Sequence, residues 1–346
     1  MKTEAEHKYT STGIKFWRHQ EQMFAYRDGR PNTVVTTHVS PEGACNLKCA
    51  YCSVTYRTIS NRIKLDVIKD YVTRLQTFGL KAVILTGGGE PTLYPHFNEL
   101  VRWCFDKGLK VALITNGTQL RRVEPEVLAM LSWVRVSINM FTDWREKIQF
   151  PGLSADAVVG SSFVFTQQHQ TVTTIDVKLL REVAQFARKG GAQYLRVLPN
   201  CLLPQTGLVQ SHAMLRELLA EVGEDIIFHQ HKLHRAPDCN TCHQSYFRPY
   251  LSEVPYGDTG VPGSVYPCDS VVLNESVAQF SPEYQLCPPD KVGDYLTGDI
   301  KAKFNPKEAC SGCVFTDTVE MLGGFKETGI GDFHHHPSPL KHEEFV

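Results

Sequence analysis

Residues 34–52, Val34-Val35-Thr36-Thr37-His38-Val39-Ser40-Pro41-Glu42-Gly43-Ala44-Cys45-Asn46-Leu47-Lys48-Cys49-Ala50-Tyr51-Cys52, join a β-branched run to a tight group of three cysteines. The run at 34–39 reads as a strand, the first of a series. Residues 82–86 (AVILT), 111–115 (VALIT), 134–138 (VRVSI), 162–166 (SFVFT) and 194–198 (YLRVL) share its character. Helical patterns separate most of them. Residues 65–79 carry apolar residues at Leu65, Val67, Ile68, Tyr71, Val72 and Leu75, a helix-period face that stops at Gly79. Residues 97–108 and 177–190 read the same way, each ending at glycine. Strands alternating with helices imply βαβ units and a parallel sheet, with six units fitting residues 34–200. The fourth crossover, residues 141–158, contains Pro151 and Gly152, so its helix is expected to be short or absent. Beyond about residue 224 the alternation gives way to Gly, Pro and Cys, which predicts a separate, smaller α+β module.

Composition narrows the function classes. The 346 residues are 42% hydrophobic and 21% charged, with 36 basic and 37 acidic side chains. That suits a globular protein of one large domain or two. A net charge of −1 offers no general attraction to nucleic acid or to an anionic membrane, and no basic, aromatic-interleaved stripe supplies a local one. There is no apolar run of membrane-spanning length, and the polar start MKTEAEHKYT has no signal-peptide character, so a cytoplasmic location is expected. Eleven cysteines in such a chain point to metal or redox chemistry rather than to disulfides.

Three of them form Cys45-x3-Cys49-x2-Cys52, directly after the first strand. Incidental buried thiols or part of a zinc site are the plain alternatives, but structural zinc prefers four ligands in C-x-x-C pairs. Three thiolates from one loop suit a 4Fe–4S cluster, leaving one iron open to a small molecule. With Tyr51 before the last cysteine, the motif closely resembles that of the radical SAM superfamily. Further motifs fall where that family has them. The second strand runs into Gly87-Gly88-Gly89-Glu90-Pro91, similar to a motif that binds the amino group of S-adenosylmethionine (AdoMet). Thr115 and Asn116 after the third strand, and Ser137 and Asn139 at the fourth, resemble positions contacting the ribose or the methionine carboxylate. Many relatives have an acid where Asn139 stands. Arg196 is a charge in an apolar sixth strand; pointing inward it would need an anion such as the AdoMet carboxylate. All of these follow C-terminal strand ends, the face where barrels of parallel strands form their active sites.

The resemblance covers roughly residues 34–200. It implies a partial (β/α)6, TIM-like barrel over 34–223, preceded by an extension at 1–33 and followed by a cysteine-rich module at 224–325 and a tail at 326–346. It also implies the chemistry: a one-electron donor such as flavodoxin or ferredoxin reduces the cluster, AdoMet is cleaved, and a 5′-deoxyadenosyl radical abstracts hydrogen. Cys268, Cys287, Cys310 and Cys313 resemble a twitch domain, a shortened SPASM domain carrying an auxiliary 4Fe–4S cluster; zinc or free thiols are the alternatives. Cys239 and Cys242 are expected to bind no metal, although His229, His231 and His234 lie near them in sequence. Cys104 and Cys201 are assigned to packing, and His334, His335 and His336 to solvent. The expected substrate is a small molecule or nucleotide. The runner-up is a peptide or protein side chain, disfavoured by the roughly 33 residues before the first strand, too few for a precursor-recognition domain. A non-enzymatic iron–sulfur or zinc protein is the third possibility.

Overall fold

The computed structural model describes residues 3–55, 57–166, 175–233, 235–273, 282–333, 340 and 342–346. Its centre is a nine-stranded sheet. The six expected strands are present as β1 (Thr36–Val39), β2 (Ala82–Leu85), β3 (Lys110–Thr115), β4 (Leu131–Ser137), β5 (Val158–Phe165) and β6 (Tyr194–Pro199). Three more join them: β7 (Ile227–His229), β8 (Tyr250–Pro255) and β9 (Pro262–Tyr266). The spatial order is β7-β6-β5-β4-β3-β2-β1-β8-β9. Every pair is parallel except β8–β9. The sheet therefore takes strands from both sides of residue 223.

Helices α1 (Glu4–Tyr9) and α2 (Gln20–Arg27) precede the sheet; α3 (Leu65–Gln76), α4 (Phe97–Asp106), α5 (Pro125–Ala129), α6 (Phe141–Trp144), α7 (Val177–Lys189) and α8 (Gln205–Val222) lie between its strands. Helices α9 (Val292–Thr297), α10 (Pro306–Ala309) and α11 (Thr316–Thr328) follow it. The long crossover helices form because their apolar residues share one face. In α3 these are Ile68, Tyr71, Val72 and Leu75, and in α4 Phe97, Leu100, Val101 and Cys104, all buried. Helix α7 is also capped, with the Asp176 carboxylate accepting from Leu179 N at 2.8 Å. Gly79 ends the α3 turn at φ +100°, where a Cβ would meet Asn32 Oδ1 at 2.6 Å. The fourth crossover holds only the four-residue α6 and one further turn.

Alternation along the strands separates two cores. Val83, Leu85, Val111, Leu113, Val134 and Val136 face the helices in the main core. Ala82, Ile84, Ala112, Trp133, Val158 and Tyr194 face the other way. That second face is concave: side chains from β1 to β6 line one cavity, so the sheet is curled into a partial barrel. Its strand-N-terminal end is closed by both chain termini. Tyr9 stacks on Tyr194 at 4.3 Å, and Phe345 packs edge-on to Trp133 at 5.4 Å. The polar look of both termini hides these anchors. Residues 334–339, with the three tail histidines, lie outside the described residues, as does His234.

Candidate active site

The loop from β1 to α3 carries Cys45, Cys49 and Cys52, all partly exposed. The three thiols lie close enough for one charge to raise the pKa of the next. Burial raises Cys45 and pushes Cys49 up to about 11. The surroundings offer donors that favour thiolates. Arg57 reaches Cys52 Sγ at 3.4 Å, Leu47 N approaches Cys45 Sγ at 3.5 Å, and Asn116 Nδ2 lies 3.9 Å from the same sulfur. The Tyr51 hydroxyl is hydrogen-bonded to Cys49. Arg57 also braces the loop by donating to Gly43 O at 2.9 Å and Val54 O at 3.0 Å. Among the described residues, no three His, Cys, Asp or Glu groups are already drawn to metal-ligand spacing. The loop gathers three soft thiol donors beside cationic and amide donors, a set that fits an iron–sulfur cluster.

The glycine run after β2 packs against this loop. Gly89 N donates to Glu42 O and Glu90 N to Ala44 O, both at 2.8 Å, and a Cβ on Gly89 would stand 2.1 Å from Ala44 O. Gly88 N donates to Ser40 Oγ at 2.7 Å. Glu90 is buried and turned toward the loop after β3. Its carboxylate accepts from Thr115 Oγ1 at 2.6 Å, Thr92 Oγ1 at 2.7 Å, Asn116 N at 2.8 Å and Thr92 N at 3.1 Å. Burial raises its pKa against these four bonds. Asn116 then reaches back, donating to Asn46 Oδ1 at 3.0 Å, while Asn46 Nδ2 donates to Thr118 Oγ1 at 2.7 Å. Pro91 starts the single turn Pro91–Leu93. The cysteine loop, Gly87–Glu90 and Thr115–Asn116 thus form one hydrogen-bonded unit at the C-terminal ends of β1, β2 and β3.

Ser137 and Asn139 are brought together farther along the same edge. Asn139 Nδ2 donates to Ser137 Oγ at 2.9 Å and its Oδ1 accepts from Val164 N at 2.8 Å, tying the end of β4 to β5. Arg196 points inward. It shares a register row with Ser162 and, through it, Ser137. Burial and the charge of Arg135 hold its guanidinium down to about 9. Beside Tyr51 a groove of about 540 Å³ opens between the cysteine loop and the β6–α8 connection, lined also by Thr166, Asn200 and Gln210. Its size suits a small-molecule site.

Residues 39–157, which span the cysteine loop, the glycine run and Asn116, match the profile of the radical SAM superfamily.

The chain carries a radical SAM domain.

The S-adenosylmethionine-dependent nucleotide dehydratase of Selenomonas ruminantium is 31% identical over 108 residues, 30% of this chain and 38% of that protein. The mycofactocin maturase MftC of Mycobacterium ulcerans is 37% identical over 166 residues, covering 43% of each chain. The crystal structure of Streptococcus suis SuiB bound to S-adenosylmethionine aligns with a TM-score of 0.49 at 15% identity, covering 73% of this chain and 63% of that one. The chain spans between about a quarter and a half of the length of the curated relatives it matches.

Beyond the radical SAM domain lie the remaining cysteines. Cys242, Cys310 and Cys313 lie near enough to Cys268 to raise its thiol pKa, and Cys310 and Cys313 do the same to Cys242, with burial the leading cause for both, although among the described residues the thiols do not stand at metal-ligand spacing. Cys239 adjoins Cys313. Cys313 is fixed by a bridge to Arg235, with Cys313 N donating to Arg235 O at 3.0 Å. Cys287 stands apart, fully buried beside β9 at a bridge to Val265, and its charged neighbours are Asp290 and Asp294. His229 and His231 pack against His212, and His231 hydrogen-bonds Glu6, instead of joining Cys239 and Cys242. Cys104 is in the main core, and Cys201 donates weakly to Pro199 O at 3.6 Å.

Sequence reasoning passed over several residues inside the barrel. Arg135 on β4 and His38 on β1 line the same cavity as Arg196, joined by Arg248 and Asp269. Arg135 carried the same signal as Arg196, a charge in an apolar strand, and Arg248 gave no local pattern at all. Glu253, buried on β8, lies so close to Gly88 that a Cβ there would stand 1.8 Å from its Oε1. Burial raises its carboxyl pKa.

Proposed function

We propose that the protein is a radical SAM enzyme in which Cys45, Cys49 and Cys52 hold a 4Fe–4S cluster and AdoMet lies across the strand ends in the groove beside Tyr51. The observation that carries this reading is the single hydrogen-bonded unit of three thiols, glycine run and Asn116. Bound there, the cluster and AdoMet supply a one-electron reduction and a hydrogen-abstracting 5′-deoxyadenosyl group. The chain's residues do the holding. Arg57 and Asn116 donate toward the sulfurs, Gly87, Gly88, Gly89 and Pro91 bring backbone close to the ligand, and Ser137 faces it from the barrel. Glu90 and Asn139 act as positioning residues as well, since their oxygens already bind the β3 loop and strand β5. A flavodoxin- or ferredoxin-type protein would deliver the electron. Among the described residues, no helix is long and apolar enough to cross a membrane. If the reduced, iron-reconstituted protein forms no 5′-deoxyadenosine from AdoMet, the enzyme reading falls and a non-catalytic iron–sulfur or zinc protein replaces it.

Residues 224–325 are proposed to carry an auxiliary 4Fe–4S cluster. The grouping of thiols favours Cys242, Cys268, Cys310 and Cys313 as its ligands, with Cys242 in the place that spacing alone gave to Cys287. After replacement of Cys45, Cys49 and Cys52 by Ala, about four irons per chain should remain. Adding Cys242→Ala should remove them and adding Cys287→Ala should not; the reverse would restore the spacing-based set. The substrate favoured is a small molecule. Modification of a peptide is the second reading, favoured by the match to a mycofactocin maturase.

A further inference from the structure

We propose that the cavity inside the barrel, beneath Arg135, Arg196 and Arg248, seats a phosphate or carboxylate group of a small-molecule substrate. This rests on the radical SAM reading above and names the chemical class that the site would take. The cavity measures about 90 Å³ and is lined by six cations, Lys8, Lys15, Arg135, Arg196, Lys232 and Arg248, against one carboxylate, Asp269. Asp269 is already engaged, 3.1 Å from Arg248 and 3.5 Å from His38 Nδ1. Among the described residues, the side chains of Arg135 and Arg196 make no hydrogen bond or ion pair, and the Nε atoms of Arg135, Arg196 and Arg248 are buried without an acceptor. A guanidinium removed from water without an acceptor is costly, and its forked donors match a carboxylate or phosphate. Two such groups close enough for Arg135 to depress the pKa of Arg196 call for an anion between them.

The walls hold these cations in place. Trp133 lies under Arg135 at 5.5 Å, and the Phe315 ring lies 4.7 Å from Arg248 and 4.5 Å from Lys232. Gly160, between β4 and β6, leaves the space that the Tyr194 ring fills, since a Cβ there would stand 2.0 Å from it. The volume holds several waters, which is room for one acidic group and not for a nucleobase as well. The rest of the ligand would extend toward the open strand ends. Arg135 pairs in register with Gly160, and Ser137 and Arg196 both with Ser162, so Arg135 sits two register rows deeper than the Ser137 row where AdoMet is proposed to lie.

The test uses the full-length protein with reconstituted clusters and saturating AdoMet, titrated calorimetrically with inorganic phosphate and, separately, with malonate. The expected result is saturable binding of one anion per chain, weakened at least tenfold in Arg135→Gln. The anion that binds more tightly tells a phosphate-bearing from a carboxylate-bearing substrate. Circular dichroism and iron content check the variant's fold; if Arg135→Gln does not fold, Arg135→Lys, which keeps the charge and loses the fork, takes its place. No binding of either anion to the wild type overturns the proposal, as does unchanged affinity in the variant. Competition between the anion and AdoMet overturns it too, assigning the arginines to the AdoMet carboxylate. Formation of 5′-deoxyadenosine by the wild type is scored separately, so failure of the enzyme reading and failure of the anion site are told apart.

Discussion

Glu90 has four donors on one buried carboxylate, two from Thr92 in its own turn and two, Thr115 Oγ1 and Asn116 N, from the loop after β3. Glu90→Ala would leave Thr115 Oγ1 and Asn116 N unpaired, so a stability loss of about 2–4 kcal/mol is expected by urea unfolding. His19 gives a pH signature. It is buried, bonded to Glu343 O at 2.9 Å, and burial holds its pKa down to about 4 from 6.5. The folded state thus favours the neutral ring. Its contribution is complete above pH 6.5 and is lost as pH falls through 6.5 toward about 4, up to about 3 kcal/mol. In His19→Gln the urea midpoint should fall less steeply over that window than in the wild type; an unchanged slope would remove His19 from the acid response.

At the scale of elements, the seam between the cysteine loop and the glycine run is the tightest contact near the site. Gly89→Ala should push the loop away, because its Cβ would stand 2.6 Å from Glu42 O as well as against Ala44 O. Iron bound after reconstitution should drop by about the four atoms of one cluster, with the fold kept by circular dichroism. Strands β1 to β6 were legible because β-branched runs ended at motifs, and α3, α4 and α7 because their apolar faces follow the helical period. Strand β7 has three residues and β8 carries Ser252 and Glu253 in its middle, so neither shows a run long enough to read. The cysteine loop and the glycine run were legible as motifs, whereas Glu90's bonds to the β3 loop were not. The interior arginines are legible only once the register brings Arg135, Arg196 and Arg248 to one cavity.

At the scale of the whole molecule, both termini serve the barrel. Phe345 is buried against Trp133, and Glu344 pairs with Lys110 at 2.5 Å. Phe345→Ala should cost about 3–4 kcal/mol, measured by urea unfolding, and a loss under 1 kcal/mol would mean the plug is dispensable.

The pairing of β1 with β8 has a consequence for synthesis on the ribosome. His38 pairs with Tyr250, 212 positions farther along the chain. At roughly 5–20 residues per second, the first strand emerges some 10–40 s before the strand that covers its far edge. During that interval a row of backbone donors and acceptors next to the cysteine loop stands open to other chains. The nascent protein is therefore most prone to mispairing at the segment that must later receive iron and sulfide, which ties yield in a host cell to translation speed and chaperone supply.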